Sequence, residues 1–401
     1  MEQTRFEGVR TAAIHAGEGP NPVTGASAPD IVMSTTFLID PDVAFSANFL
    51  TDETPFAYTR WGNPTVAQLE RKLAALEGAE SCVAFASGMA AITALLLRLL
   101  KAGDHIVMSD VTYAAASELA NDTLPHLGIE ISRVDTSDPE RVRAALKPTT
   151  RLIYLETPAN PTLRLADVST IATQAHEAGA LVAVDSTFAT PISLKPIELG
   201  ADFVIQSLTK YICGHGDAIG GAVCGSHEQM DLLRPMAAHL GGILSPFNAW
   251  LIMRGAATLP IRMRAHEESA LAVARHLESH PKVTRVIYPG LPSHPQYELA
   301  ARQMKNHSGM ITFQVRDGLA AARTLSQKLT TVHYAVSLGH HRTLVVYLHT
   351  ADMIRTSFHL TPEQEASYRK FAGDGIFRLS IGLEDPADIM ADLDQALAEI
   401  E

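Results

Sequence analysis

The sequence is short of several things that would direct it to particular functions. Cysteine occurs only three times in 401 residues, as Cys82, Cys213 and Cys224, far apart and without a CxxC pair. That argues against a disulfide framework or a structural zinc site and fits a reducing compartment. A basic excess is missing as well: 32 Lys and Arg stand against 44 Asp and Glu, for a net charge of −12. With the two signs interleaved, nothing offers the basic patch that a nucleic acid or an anionic membrane surface requires. The most apolar run, AITALLLRLL, is interrupted by Arg98 and falls well short of the roughly 20 residues needed to span a bilayer. The opening MEQTRFEGVR has no apolar stretch of the kind a secretory signal carries, so a cytoplasmic location is expected. No internal repeat and no low-complexity segment is present.

What remains is an ordinary globular composition, 46% hydrophobic and 19% charged. The length suggests two or three domains at roughly 150 residues each. Residues 1–62, rich in Pro, Thr, Ser and Gly, have little periodicity and read as an arm that needs another surface to order it. A strong helix follows, with Asn63 as N-cap, Pro64 at its first position, Val66, Leu69, Leu73 and Leu76 on one face and Gly78 as the stop. Short apolar runs (SCVAF, HIVM, RLIYL, LVAV, DFVI) then alternate with helical periods at 89–101, 114–126, 138–146 and 167–178. This is the pattern of an α/β domain with parallel strands buried on both faces. Two helices are predicted over 246–257 and 261–279, with a break at Pro260. Residues 283–401 mix strands such as GMITFQV and IFRLSI with helices at 295–304, 317–328 and 386–400, a smaller α+β domain. The predicted division is an arm (1–62), a large domain (63–259) and a small C-terminal domain (260–401).

Ligands of such sheets lie beyond the carboxyl ends of the strands, which singles out four places. SCVAF leads into Ala86-Ser87-Gly88-Met89 and a helix, a turn suited to phosphate, although many such turns bind nothing. RLIYL leads into ETPANPT, where two prolines stiffen a loop that is either a plain turn or a means of pointing Asn160 inward. LVAV is followed by Asp185, which is either a turn cap or a carboxylate that keeps a pyridine nitrogen protonated. DFVI leads into Gln206-Ser207-Leu208-Thr209-Lys210-Tyr211 and a glycine-rich stretch, a setting for an amine nucleophile, although a lone lysine there is more often a surface charge. A phosphate turn, an aspartate and a lysine, in that order, are the fixed contacts that pyridoxal phosphate requires.

These motifs resemble those of the Cys/Met-metabolism family of pyridoxal-phosphate enzymes. The resemblance rests on SLTKYICGHGDAIGG, YTRWGNPT (58–65), ASGMAA (86–91), ETPANPT (156–162), AVSLG and RLSIGLE, and covers nearly the whole chain. It implies a fold-type-I transferase, with a mostly parallel sheet in the large domain. It further implies that Lys210 carries the cofactor and that Asp185 pairs with the pyridine nitrogen. Tyr113 would stack on the ring and act as an acid/base beside the leaving group. Gly88, Met89, Ser207 and Thr209 would hold the phosphate, joined by Tyr58 and Arg60 of a neighbouring subunit. Thr187 is implied at the cofactor and Asn160 near its phenolic oxygen. Ser337 and Arg378 would bind the substrate carboxylate. The family is usually a tetramer of two active-site dimers.

The substrate is read from the distal pocket. Cystathionine-cleaving members carry an acid before SLG and another before the tyrosine of the arm, whereas Val336 and Ala57 stand here. Neutral residues cannot pair a distal ammonium group. The resemblance therefore implies γ-elimination on methionine or homocysteine, of the methionine γ-lyase type. Cystathionine γ-lyase, cystathionine γ-synthase and O-acylhomoserine sulfhydrylase are the alternatives, with a catalytically silent relative as the reading from another class. Tyr113 is followed by three alanines where family members usually carry glycines and, in methionine lyases, a cysteine, and HHRTLVVYLHTADMIRTSF after AVSLG matches the family pattern poorly.

Overall fold

A computed structural model describes residues 6–42 and 46–400. The strands in chain order are β1 Ser81–Phe85, β2 His105–Ser109, β3 Glu130–Val134, β4 Thr150–Glu156, β5 Leu181–Asp185 and β6 Phe203–Gln206. They continue with β7 Gly221–Gly225, β8 Val283–Ile287, β9 Met310–Val315, β10 His333–Tyr334, β11 Leu344–His349 and β12 Gly375–Ser380. The chain forms two compact units: residues 1–100, 182–187 and 195–261 make the first, and 101–181, 188–194 and 262–401 the second.

In the first unit the strands run in the order β1-β7-β6-β5. β5 and β6 are parallel, and β7 is antiparallel to both β6 and β1. The expected helix forms over Pro64–Glu77: the Asn63 side chain accepts from the Thr65 N–H, and Gly78 ends it at φ 73°. A left-handed stop of that kind suits glycine. Leu69, Leu73 and Leu76 are buried, each worth roughly 1.5–3 kcal/mol relative to exposure. Several elements went unforeseen, among them the short helix Val9–His15 inside the arm. β7 has only three residues between two glycines, too short an apolar run to stand out, and the helix His227–Leu240 contains Pro235.

In the second unit β4-β2-β3 form a parallel set, β3 being a half-exposed strand that its sequence EISRV did not announce. The unit also holds a five-stranded sheet, β10-β11-β12-β9-β8, antiparallel except for β10 with β11. Val273, Leu277, Phe313, Phe377, Leu379, Ile389 and Leu393 join helices Leu259–Ser279 and Pro386–Ala398 to this sheet in one core. Phe313 and Phe377 stack with ring centroids 5.0 Å apart. The predicted helix 114–126 is broken into a helix Ala114–Glu118, a wide π turn Leu119–Thr123 and a tight turn Pro125–Leu127. Asn121, Asp122 and Thr123 are weak helix formers, and Pro125 lacks the N–H that continuation needs. The break near Pro260 falls instead at Thr258, between helices Pro246–Ala257 and Leu259–Ser279. Pro260 sits in the first turn of the second helix, where its missing N–H costs nothing.

Cys82, Cys213 and Cys224 are buried and form no disulfide. Among the described residues no helix is long and apolar enough to cross a membrane, and no group of three His, Cys, Asp or Glu could hold a metal ion.

Candidate active site

The first unit gathers the phosphate turn, the aspartate and the lysine. Gly88 opens the helix Gly88–Leu99, and the Ser87 hydroxyl caps it by accepting from the Ala90 N–H at 3.1 Å. The first N–H groups of a helix have no partner within it, so those of Gly88 and Met89 present the positive end of the dipole. A Cβ placed on Gly88 would lie 3.1 Å from Ser207 Cβ and 3.2 Å from Ser207 Oγ. The turn and Ser207 are therefore side by side, and only glycine keeps the space between them open. A Cβ on Gly221 would fall 2.2 Å from the Ser87 carbonyl oxygen and 2.7 Å from the Gly88 nitrogen. β7 thus backs directly onto the turn, which is the physical reason for glycine at 221.

Asp185 ends β5 and is buried. Its Oδ1 accepts from the Thr187 N–H at 3.0 Å, and the Thr187 hydroxyl accepts from the Ser207 N–H at 2.9 Å. Thr187 thereby ties the ends of the parallel strands β5 and β6 together. Lys210 stands on the loop that follows β6. Its N–H donates to the Ser207 carbonyl at 3.2 Å, and its carbonyl accepts from the Gly214 N–H at 2.8 Å. The Thr209 hydroxyl donates to the Gly220 carbonyl at 3.2 Å and accepts from the Gly220 N–H at 3.1 Å. Its one proton is committed there, so Thr209 positions the Gly220–Gly221 backbone that supports the turn. Gln206, just before Ser207, donates to Glu77 Oε1 at 2.8 Å, and burial pushes the Glu77 carboxyl up to about 8.

The arm residues lie in this unit too. The backbone at 34–37 pairs with 57–59: Thr59 N–H donates to Thr35 and Phe37 N–H to Ala57. Tyr58 and Arg60 both stand exposed on this segment, with the guanidinium carbon 5.3 Å from the tyrosine ring centroid.

The second unit holds the residues expected on the substrate side. Arg378, on β12, donates through Nη1 to Asn160 Oδ1 at 2.9 Å and through Nη2 to the Ser337 carbonyl at 3.1 Å. Ser337 holds a φ of 96°, a left-handed conformation that a non-glycine residue adopts only under constraint. Its hydroxyl lies 3.3 Å from His340 Nε2. Val336, beside it, is 76% exposed. Tyr113 is half exposed at the start of the helix Ala114–Glu118. Glu118 accepts from the Ser357 hydroxyl at 2.8 Å.

One residue without an assigned role in the sequence reading stands at the centre of this set. Glu156, the last residue of β4, accepts through Oε2 from the Tyr113 N–H at 2.7 Å and from the Thr112 hydroxyl. Its Oε1 accepts from the Asn160 N–H at 2.7 Å. The available signal was an acid at a buried strand end, directly before the two prolines.

The first unit fits pyridoxal phosphate on its own geometry. A positive helix end faces a glycine space that any Cβ would crowd, a buried carboxylate closes one strand, and a half-buried lysine follows the next. A nucleophile, a held carboxylate and a phosphate cradle support chemistry at an amino-acid α-carbon.

Comparison with known proteins agrees. Residues 10–398 match the model of the Cys/Met metabolism PLP-dependent enzymes. The L-methionine gamma-lyase of Fusobacterium nucleatum subsp. polymorphum is 43% identical over 99% of this chain and 100% of its own. The cystathionine gamma-synthase of Mycobacterium bovis is 41% identical over 98% of this chain and 97% of its own. The solved structure of cystathionine gamma-lyase from Lactobacillus plantarum, complexed with L-serine, superposes with a TM-score of 0.88. It is 34% identical and the match covers 98% of this chain and 99% of that one. The chain belongs to the Cys/Met-metabolism family of pyridoxal-phosphate-dependent enzymes.

Proposed function

We propose that the protein is a γ-lyase for a small sulfur amino acid, converting L-methionine or L-homocysteine with water into 2-oxobutyrate, ammonia and a thiol. The observation that carries the substrate choice is the neutrality of Ala57 and Val336. Neither can pair a distal ammonium, and a charge without a partner costs several kcal/mol to bury, whereas a methyl thioether carries no such cost. The likeness to L-methionine gamma-lyases supports the same reading. A second reading, replacement at the γ-carbon, is favoured by the nearly equal identity to a cystathionine gamma-synthase.

Bound pyridoxal phosphate supplies an electron sink for the charge left when a proton leaves the substrate α-carbon. Gly88, Met89 and Ser207 hold its phosphate, with Thr209 bracing the backbone beside them, and Tyr58 and Arg60 reach the same group from a neighbouring subunit. Asp185 keeps a proton on the ring nitrogen; Thr187 orients that carboxylate, and Asn160 approaches the phenolic oxygen. Lys210 would hold the cofactor and would take the proton from the substrate α-carbon. Tyr113 would lie beside the cofactor and give a proton to the departing sulfur. Arg378 forks onto the substrate carboxylate beside Ser337.

The same reading makes residues 1–62 an arm serving the neighbouring subunit, 63–259 the cofactor domain and 260–401 the small domain of a cytoplasmic tetramer. Support comes from Val23, Met33, Leu38 and Phe49, large apolar side chains left exposed on the arm, Leu38 fully so. Apolar side chains so exposed on an arm with little core of its own suit burial against a neighbouring subunit.

One experiment tests the function. Purified enzyme is given methionine, homocysteine, cystathionine or O-acetylhomoserine with sulfide, and 2-oxobutyrate and thiol are measured. Release of 2-oxobutyrate fastest from methionine or homocysteine supports the proposal. Homocysteine made from O-acetylhomoserine and sulfide, with no 2-oxobutyrate, replaces it with the sulfhydrylase reading.

A further inference from the structure

We propose that Glu156 is a positioning residue for the reaction, the single carboxylate that sets Tyr113 and Asn160 in register with each other. The proposal rests on the roles given above to those two residues. It starts from the end of β4, where Glu156 is buried. β2 and β4 are parallel neighbours, with Met108 opposite Tyr154, so the loops leaving their carboxyl ends emerge side by side. The β2 loop carries Thr112 and Tyr113, and the β4 loop carries Asn160. Glu156 spans the two, with Oε2 taking the Tyr113 N–H at 2.7 Å together with the Thr112 hydroxyl, and Oε1 taking the Asn160 N–H at 2.7 Å.

The chemistry of these contacts asks for a carboxylate and nothing else. Both bonded main-chain groups are N–H donors, and they lie against different oxygens. Glutamine has the same size but only one acceptor oxygen; its amide nitrogen only donates. In either orientation it sets a donor against the Tyr113 N–H or against the Asn160 N–H. The Thr112 hydroxyl can turn to accept, but a backbone N–H cannot. Aspartate keeps the charge and both acceptors on a shorter arm.

The bonds continue to Arg378, since Asn160 Oδ1 accepts from its guanidinium and Arg378 also donates to the Ser337 carbonyl. Glu156 therefore stands between the acid/base tyrosine and the carboxylate-binding arginine without belonging to either. A slip of about 1 Å at a reacting group can cost a hundredfold in rate. A lost bond at Glu156 is expected to move Tyr113 or Asn160 by a fraction of that.

The test is a double-mutant cycle on the holoenzyme. Glu156→Gln is made in the wild type and in Tyr113→Phe, and kcat is measured on whichever amino acid the wild type turns over. Reassignment of the substrate therefore leaves this test intact. Pyridoxal-phosphate affinity is read in parallel by fluorescence titration of the apo protein. Expected are a fall in kcat of about 30-fold from Glu156→Gln, a much smaller fall in the Tyr113→Phe background, and several-fold weaker cofactor binding. Glu156→Asp should recover part of the loss, and it repeats the cycle if the glutamine variant fails to fold. The proposal is overturned if kcat stays within threefold of the wild type, or if the same fractional loss appears in both backgrounds. Either result would make Glu156 a structural anchor acting independently of Tyr113.

Discussion

Arg378 Nη1 donates to Asn160 Oδ1 across 2.9 Å, joining residues 218 positions apart in the chain. The bond holds one arm of the guanidinium fork on a neutral amide, so the group is oriented before any substrate arrives. Replacing Arg378 with Lys keeps the positive charge but loses the planar fork. The loss of a charge-assisted pair is worth about 2–3 kcal/mol, so kcat/KM should fall roughly 30- to 150-fold. The fall should be carried mainly by KM. Steady-state kinetics against amino acids with and without an α-carboxylate check it, because an amine lacking the carboxylate should not distinguish the variant from the wild type.

Asp185 and Lys210 are separable by their failures. Asp185→Asn can still accept the Thr187 N–H that Oδ1 now takes at 3.0 Å, so the fold should survive. Without the negative charge, loss of the α-proton should slow by at least a hundredfold. Exchange of the α-hydrogen in deuterated water measures that step directly. Lys210→Ala should bind cofactor through the phosphate cradle alone and show no turnover. Borohydride should fix the cofactor to the Lys210 peptide of the wild type and to no peptide of the variant. Label on another lysine would end the assignment.

Glu77 gives the pH dependence of stability a specific source. Burial raises its carboxyl from the ordinary 4.5 to about 8 in the folded protein, so between those values the native state holds a proton that the unfolded chain has released. Stability from this group is full below about pH 4.5 and is lost as pH rises through 8. Glu77→Gln, which keeps an oxygen for the Gln206 amide, should flatten that loss. Its Tm should exceed that of the wild type at pH 9 and approach it near pH 5, as read by differential scanning calorimetry. Equal pH dependence in the two proteins would mean that Glu77 is ionised in the native state.

Much of the cofactor side was legible because it is local. Gly88, Asp185 and Ser207 each lie within three residues of the end of a buried strand whose apolar run is plain in the sequence. Asn63, Pro64 and Gly78 marked a helix to the residue. What escaped depends on parts of the chain that meet only after folding. β7 owes its place to pairing with β1 and β6 on either side and to glycine at 221, where it passes close to Ser87 and Gly88, and its own short apolar run does not announce that. The engagement of Thr209 with Gly220 likewise needs the loop to close on itself. Glu156 was visible as an acid at a strand end, but its role requires three donors from two loops, which no local pattern displays.

The choice of substrate provides the sharpest prediction. On the proposed reading, Val336 and Ala57 leave a distal ammonium without a partner, so kcat/KM for methionine or homocysteine should exceed that for cystathionine. Specificity of this origin is transferable by one carboxylate. Val336 is 76% exposed, so Val336→Glu should be accommodated without cost to the fold. It should raise kcat/KM for cystathionine by up to about fivefold, the value of roughly 1 kcal/mol from a solvated ion pair. It should lower methionine use at the same time, since the new charge replaces an apolar wall beside the thioether. The two changes must occur together. A gain for cystathionine with methionine unaffected would place the glutamate outside the methionine pocket. No change in either would remove residue 336 from the substrate pocket, leaving selection to groups such as His340, whose Nε2 lies 3.3 Å from the Ser337 hydroxyl.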